Sequence, residues 1–199
     1  MKKIKIIGLT GQSGAGKSTV AQLFRQNGAC VIDADKLVAQ LYKSNSVCVE
    51  VLKSLFGDEV ADSDGAINKK ALAKIVFADS KKLELLNSVV HPFVMALFLD
   101  KVKQESKSGC SMLVYDAPQL FEANADVVCD IIVSVTATKS VRTQRICKRD
   151  NITSEQAMQR INAQFDEEFF VKNSDYIIEN NCDLKSLETQ FAKIFSELV

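Results

Sequence analysis

The sequence predicts an α/β fold built on a parallel sheet of five strands, and three observations point to it. Short β-branched runs recur along the 199 residues with helical patterns between them. The first run, Ile4 to Leu9, ends in a glycine-rich segment, Thr10-Gly11-Gln12-Ser13-Gly14-Ala15-Gly16, and a helical pattern opens at Lys17. A second run, Cys30-Val31-Ile32, completes a strand, loop, helix and strand before residue 35.

In chain order, Val20, Leu23 and Phe24 repeat at helical spacing and Gly28 is a stop signal. Asp33-Ala34-Asp35 follows the second strand, with Asp35 as the expected cap of the next helix. Residues 36–107 read as mostly helical. Leu37, Val38 and Leu41 mark one helix, and Val51, Leu52, Leu55 and Phe56 a second, stopped by Gly57. Asp62-Ser63-Asp64-Gly65 reads as a turn. Ala71, Leu72, Ile75 and Val76 make a third helix, and Leu83, Leu86, Val89 and Val90 begin a fourth. Pro92 disfavours helical geometry at His91, so a break or kink is expected there before Val94, Leu97, Phe98 and Val102 resume the pattern. Ser111 to Tyr115 is a strand ending at Asp116, and Ile131-Ile132-Val133 centres another. Thr138 to Arg149 is a basic helix. Ser154 to Gln164 is a further helix that Thr153 or Ser154 can cap. Asp175 to Glu179 is the last strand, and Leu184 to Leu198 is an amphipathic closing helix.

Composition narrows the function classes. Hydrophobic residues are 47% and charged residues 25%, which excludes wholesale disorder. Twenty-five basic residues balance 25 acidic ones, so a dedicated nucleic-acid binder is not expected. The short run after Met1-Lys2-Lys3 is broken by Lys5 and reads as a strand, not a signal peptide. No run of about 18 apolar residues is seen, so no membrane span is expected. Six cysteines occur without a CxxC pair and with a single histidine, His91, which argues against a zinc site. They read as reduced thiols packed like small apolar residues, in a cytoplasmic protein.

Gly11-Gln12-Ser13-Gly14-Ala15-Gly16-Lys17-Ser18 fits G-x-x-x-x-G-K-[ST], a phosphate-binding loop, in its confirming context between a strand and a helix. Glycines let successive N–H groups turn around an anion, and the following helix adds its N-terminal dipole. Lys17 brings a compact full charge to the β/γ-phosphates, and the Ser18 hydroxyl, with Thr19 beside it, suits Mg²⁺ and phosphate. A nucleoside triphosphate is the expected ligand. A guanine-binding NKxD is absent, since Asn68-Lys69-Lys70-Ala71 lacks the aspartate. Asp33, at a strand C-terminus, is placed to orient an acceptor hydroxyl and take its proton, with helix capping as its other reading. Asp116 also ends an apolar strand and is read either as a Mg²⁺ supporter or as a turn residue. Arg142, Arg145 and Arg149 share one helix face, with Arg160 on the next helix. Arg142 is assigned to a solvated face, while Arg145 and Arg149 are candidates to neutralise charge on the transferring group.

The ordered set of Gly8-Leu9-Thr10-Gly11, Val31-Ile32-Asp33-Ala34-Asp35, His91-Pro92, Pro118-x-Leu120-Phe121-Glu122, Arg145-x-x-x-Arg149-Asp150, Arg160-x-x-x-Gln164 and Asp175-Tyr176-Ile177-Ile178 resembles the dephospho-CoA kinase family along nearly the whole chain. The resemblance implies a three-layer P-loop kinase fold and transfer of the ATP γ-phosphoryl to the ribose 3′-hydroxyl of dephospho-CoA. Its implied organisation is a core of 1–35, 108–137 and 174–199, a helical CoA-binding insertion at about 36–107 and a lid at about 138–170. It implies Asp33 as catalytic base, Arg145 on the lid near the ATP phosphates, His91 and Arg160 on the acceptor side, and Asn180 near the adenine. ATP and Mg²⁺ are the implied cofactors. The implied partners are small molecules, with no nucleic acid or membrane, for a monomer or weak homo-oligomer. Gln119, Ser174 and Cys182 depart from the family pattern. Two rival readings are another small-metabolite P-loop kinase, such as a nucleoside monophosphate kinase, and a non-catalytic nucleotide-sensing module, against which the intact Lys17, Ser18 and Asp33 speak.

Overall fold

The computed structural model describes residues 4–43 and 46–199, so the basic Met1-Lys2-Lys3 start lies outside the described residues. Five strands, β1 (Lys5–Gly11), β2 (Cys30–Asp33), β3 (Met112–Asp116), β4 (Ile131–Thr136) and β5 (Tyr176–Glu179), form one sheet in the order β2-β3-β1-β4-β5. The central strand β1 runs parallel to both neighbours, with Leu9 opposite Asp116 of β3 and Val133 of β4. Parallel neighbours need crossovers, which is why strands alternate with helices along the chain. Every residue of β3 is buried, as expected for a strand covered on both faces.

The chain divides into two compact units, residues 1–32 with 105–199, and residues 33–104. In the first, helix α1 (Lys17–Gln26) buries Val20, Ala21, Leu23 and Phe24. The last helix, α9 (Leu184–Leu198), buries Leu187, Phe191, Ile194 and Leu198. Phe24 meets Phe191 edge-to-face at 4.9 Å, so the two helices pack over the same apolar sheet face. Helices α6 (Lys139–Asp150) and α7 (Ser154–Asn162) share a smaller core of Ile146, Ala157 and Ile161. Thr153, not Ser154, caps α7, in a reciprocal capping box with Gln156. Helix α8 (Glu167–Asn173) has no counterpart in the sequence reading.

The second unit holds α2 (Ala34–Leu41), α3 (Val47–Phe56), α4 (Lys69–Val76) and most of α5 (Ser80–Lys107). The Asp62–Gly65 turn closes a small bridge between Ala61 and Ile67.

Four expectations are corrected. Helix α5 runs through Pro92 without a break. An interior proline costs about 3 kcal/mol. Burial of Val90, Val94 and Phe98 along one face offsets that cost. The same helix contains an 18-residue window of mean hydropathy 1.4, enough by length and composition to cross a bilayer, so the expectation of no such segment was too strong. Asp33, not Asp35, caps α2, accepting the Lys36 N–H at 3.2 Å. Cys30 and Cys110 are joined by a disulfide. Cys30 opens β2 and Cys110 precedes the neighbouring β3, so the sheet brings them together. Cys48, Cys129, Cys147 and Cys182 are free thiols.

Candidate active site

The glycine-rich loop leaves β1 and enters α1 between two close neighbours. Gly16 is left-handed (φ 100°), and a Cβ there would lie 2.2 Å from Asn180 Nδ2, so only glycine suits the position. Gly14, also left-handed, touches the α6 backbone, since a Cβ would lie 2.9 Å from the Arg142 carbonyl. Side chains cap α2, α3, α4, α6, α7, α8 and α9, whereas no side chain caps α1 at Gly16. The positive end of that helix is therefore open to an anion.

Lys17 makes an ion pair with Asp116, and both side chains are largely buried. Asp116 ends β3 beside β1, and the neighbouring Ala117 N–H bonds Leu9 O at 3.0 Å, which pins that strand end next to the loop. Ser18 and Thr19 lie on the first turn of α1, with Ser18 exposed.

Arg145 bridges three groups around the loop. Its guanidinium donates to the Gly14 and Ala15 carbonyls and to Asn180 Oδ1, each at 3.4 Å. Asn180, just past β5, is buried and donates to Ala15 O at 2.7 Å. Gly16, Thr19, Arg145, Asn180, Cys182 and two leucines of α9 line a cavity of about 260 Å³. The departure at Cys182 thus lies on the wall of this cavity. Ser174 is absorbed by a 2.6 Å hydroxyl contact with Ser134 of β4, and Gln119 is exposed.

Arg142 corrects the expectation of a solvated face: it is 2% exposed. Its Nε donates to Ser13 O at 3.0 Å and its Nη2 to Gln164 Oε1 at 3.2 Å. Burial pushes its pKa down, and the Glu167 charge partly opposes this. Gln164 Oε1 also accepts the Ser13 N–H at 2.9 Å. Sequence reasoning missed both side chains as site residues. The spacing of Arg160-x-x-x-Gln164 was the available signal for Gln164.

The remaining candidates have their own local partners. Arg149 and Arg160 both pair with Asp150, at 2.7 and 2.6 Å, away from the loop contacts made by Arg145. Arg149 holds the Asp150 carboxyl below its usual range, with Arg160 adding to the effect. Asp33 ends β2 and caps α2. His91 lies half-buried on α5, where burial lowers its pKa.

Known proteins resemble this chain in sequence and fold. The family model for dephospho-CoA kinase (CoaE) matches residues 5–186. A dephospho-CoA kinase of Fusobacterium nucleatum is 39% identical over 184 residues, covering 92% of this chain and 93% of its own. One from Listeria monocytogenes is 33% identical, covering 94% and 93%. Among solved structures, TT1252 from Thermus thermophilus superposes with a TM-score of 0.84 at 33% identity, covering all of both chains. Dephospho-CoA kinase from Campylobacter jejuni superposes at 0.72 with 25% identity, covering 97% and 96%. A shikimate kinase from Acinetobacter baumannii, at 0.54 and 15% identity, shares the fold. The chain therefore belongs to the dephospho-CoA kinase family, ATP-dependent kinases that phosphorylate dephospho-CoA to CoA.

Proposed function

We propose that this chain transfers the ATP γ-phosphoryl to the ribose 3′-hydroxyl of dephospho-CoA with the following division of labour. The amides of Gly11 to Thr19 and the Lys17 ammonium hold the triphosphate, and the open end of α1 supports that role. Arg145 follows charge onto the transferring group, while Asn180 and the cavity beside it receive the base. Arg149 and Arg160 exchange Asp150 for the nucleotide and the acceptor respectively. The helical insertion at 36–107, including His91, receives the pantetheine arm, and 138–170 acts as the lid.

Mg²⁺ suits the oxygen donors Ser18 and Asp116. No cluster of three or more His, Cys, Asp or Glu occurs among the described residues, and Mg²⁺ ordinarily takes one or two carboxylates plus phosphates and water. When bound, it would neutralise charge on the β/γ-oxygens. Ser18 and Asp116 would hold it, beside the Lys17 ammonium that pairs with Asp116 here.

Asp33 is assigned to the acceptor. A carboxylate is too weak a base to strip a ribose hydroxyl outright. A loose phosphoryl-transfer transition state does not require that, because the attacking oxygen bonds little before the leaving oxygen departs. Asp33 holds the hydroxyl in line and takes the proton late. The equal counts of acidic and basic residues support small-molecule partners over nucleic acid. The further assignment is a cytoplasmic monomer or weak homo-oligomer without a membrane partner.

The observation that carries this reading is the grouping of Lys17, Asp116, Arg145 and Asn180 around one uncapped helix end. Asp33→Asn tests it on the acceptor side. Asparagine caps a helix as well as aspartate does, so α2 should stay intact. The kcat for dephospho-CoA phosphorylation should fall on the order of 10²-fold or more, with ATP affinity retained. An unchanged kcat would remove Asp33 from the chemistry.

A further inference from the structure

We infer that Arg142 and Gln164 are positioning residues that lock Ser13 through both its main-chain N–H and its main-chain carbonyl. They thereby set the direction of the phosphate loop and join it to the α6–α7 pair. The observation is a closed three-cornered network. Gln164 Oε1 accepts the Ser13 N–H at 2.9 Å, Arg142 Nε donates to the Ser13 carbonyl at 3.0 Å, and Arg142 Nη2 donates to Gln164 Oε1 at 3.2 Å. One residue thus has both its main-chain donor and its main-chain acceptor, on two successive peptide units, satisfied by side chains from outside the loop.

The chemistry of the corners favours a lock over casual contact. A buried guanidinium is costly unless its donors are bonded, and this one is 2% exposed. Its flat fork serves two acceptors at once, which a lysine ammonium on its flexible stem cannot reproduce. Gln164 follows the C-cap of α7, Ala163, so its reach to Ser13 ties the far end of that helix to the loop. Ile146, Ala157 and Ile161 bind α7 to α6, and Gly14 packs directly on the α6 backbone. Loop, α6 and α7 are therefore connected at three independent points. Arg145 lies one turn beyond Arg142 on α6, so whatever fixes Arg142 also fixes where Arg145 meets the loop. Once this lock opens, the loop amides and Arg145 lose their common register, although neither locking side chain is assigned to touch the nucleotide.

This inference rests on ATP binding at the loop, not on the identity of the acceptor. The test uses Gln164→Met, which keeps length but removes the shared acceptor, and Gln164→Glu, which restores it. ATP affinity is measured by calorimetry, the Ser13 amide by ¹⁵N NMR hydrogen exchange, and the KM for dephospho-CoA alongside. Gln164→Met should weaken ATP on the order of tenfold and expose the Ser13 amide to exchange, with the dephospho-CoA KM within about twofold. Gln164→Glu should recover protection at Ser13 and most of the ATP affinity. If Gln164→Met fails to fold, Arg142→Lys supplies the same reading, with a several-fold loss of ATP affinity expected. ATP affinity within about twofold of wild type in whichever variant folds overturns the inference, even where its melting temperature falls. An ATP-binding wild type that leaves dephospho-CoA unphosphorylated would instead overturn the proposed function and leave this test intact.

Discussion

Helix α6 carries two ends that look alike in sequence and differ in structure. Arg142 and Arg145 at the inner end are drawn onto the phosphate loop, bonding Ser13, Gly14 and Ala15 carbonyls. Arg149, one to two turns on, has a side chain 60% exposed and pairs with Asp150, which also takes Arg160. The i, i+3, i+7 spacing puts all three on one face, but the partner each meets decides its work. A guanidinium beside a desolvated backbone carbonyl is part of the site's frame. One beside an exposed carboxylate makes a pair worth little to stability and free to exchange.

The contrast can be broken by substitution. Lys17→Ala sets the upper scale, with kcat/KM for ATP expected to fall on the order of 10² to 10³. A loss under about threefold would detach the loop from phosphoryl transfer. Arg145→Ala comes next, with kcat reduced about 10- to 100-fold and by more than ATP affinity. Equal losses in both would make Arg145 a ground-state anchor. Arg149→Ala should cost less, about threefold to tenfold in kcat/KM, and an effect as large as that of Arg145→Ala would erase the distinction between the two ends.

The smallest effect concerns pH. The Asp150 carboxyl lies below its usual range because Arg149 and Arg160 bond its charged form. Its folded pKa is thus depressed, so its contribution to stability is present above the unfolded value, about 3.9, and is lost as pH falls through the folded one. Melting curves of wild type and Asp150→Asn should differ near neutral pH and converge under acid. A constant difference across pH would show that the pairing is not the cause.

The strands, the loop and the order of the helices were legible because burial periodicity and glycine punctuation are local signals. Residues such as Ile7, Leu9, Val133 and Val135 mark the sheet by themselves. The departures arise where long-range packing decides. Pro92 stays in α5 because distant residues bury one face of that helix, and the Cys30–Cys110 bond follows from strand neighbours 80 residues apart. In the site, Lys17 and Asp116 were named from motif and strand end, yet their pairing depends on β3 lying next to β1. Arg142 was misread because a helical wheel cannot show that Ser13 and Gln164 wait on its face. The α8 segment is short and its one buried residue, Phe170, leaves no periodic trace.

The central claim is that the loop and its arginine serve phosphoryl transfer to the ribose 3′-hydroxyl of dephospho-CoA. Incubation of the wild-type protein with ATP, Mg²⁺ and either dephospho-CoA, adenosine or AMP, followed by ³¹P NMR of the products, tests it most directly. The account predicts rapid formation of CoA carrying the new phosphate on the 3′-oxygen, with adenosine and AMP far poorer acceptors. Phosphorylation of AMP on its 5′-phosphate as readily as of dephospho-CoA on its 3′-hydroxyl would contradict it and assign the chain to the nucleoside monophosphate kinases.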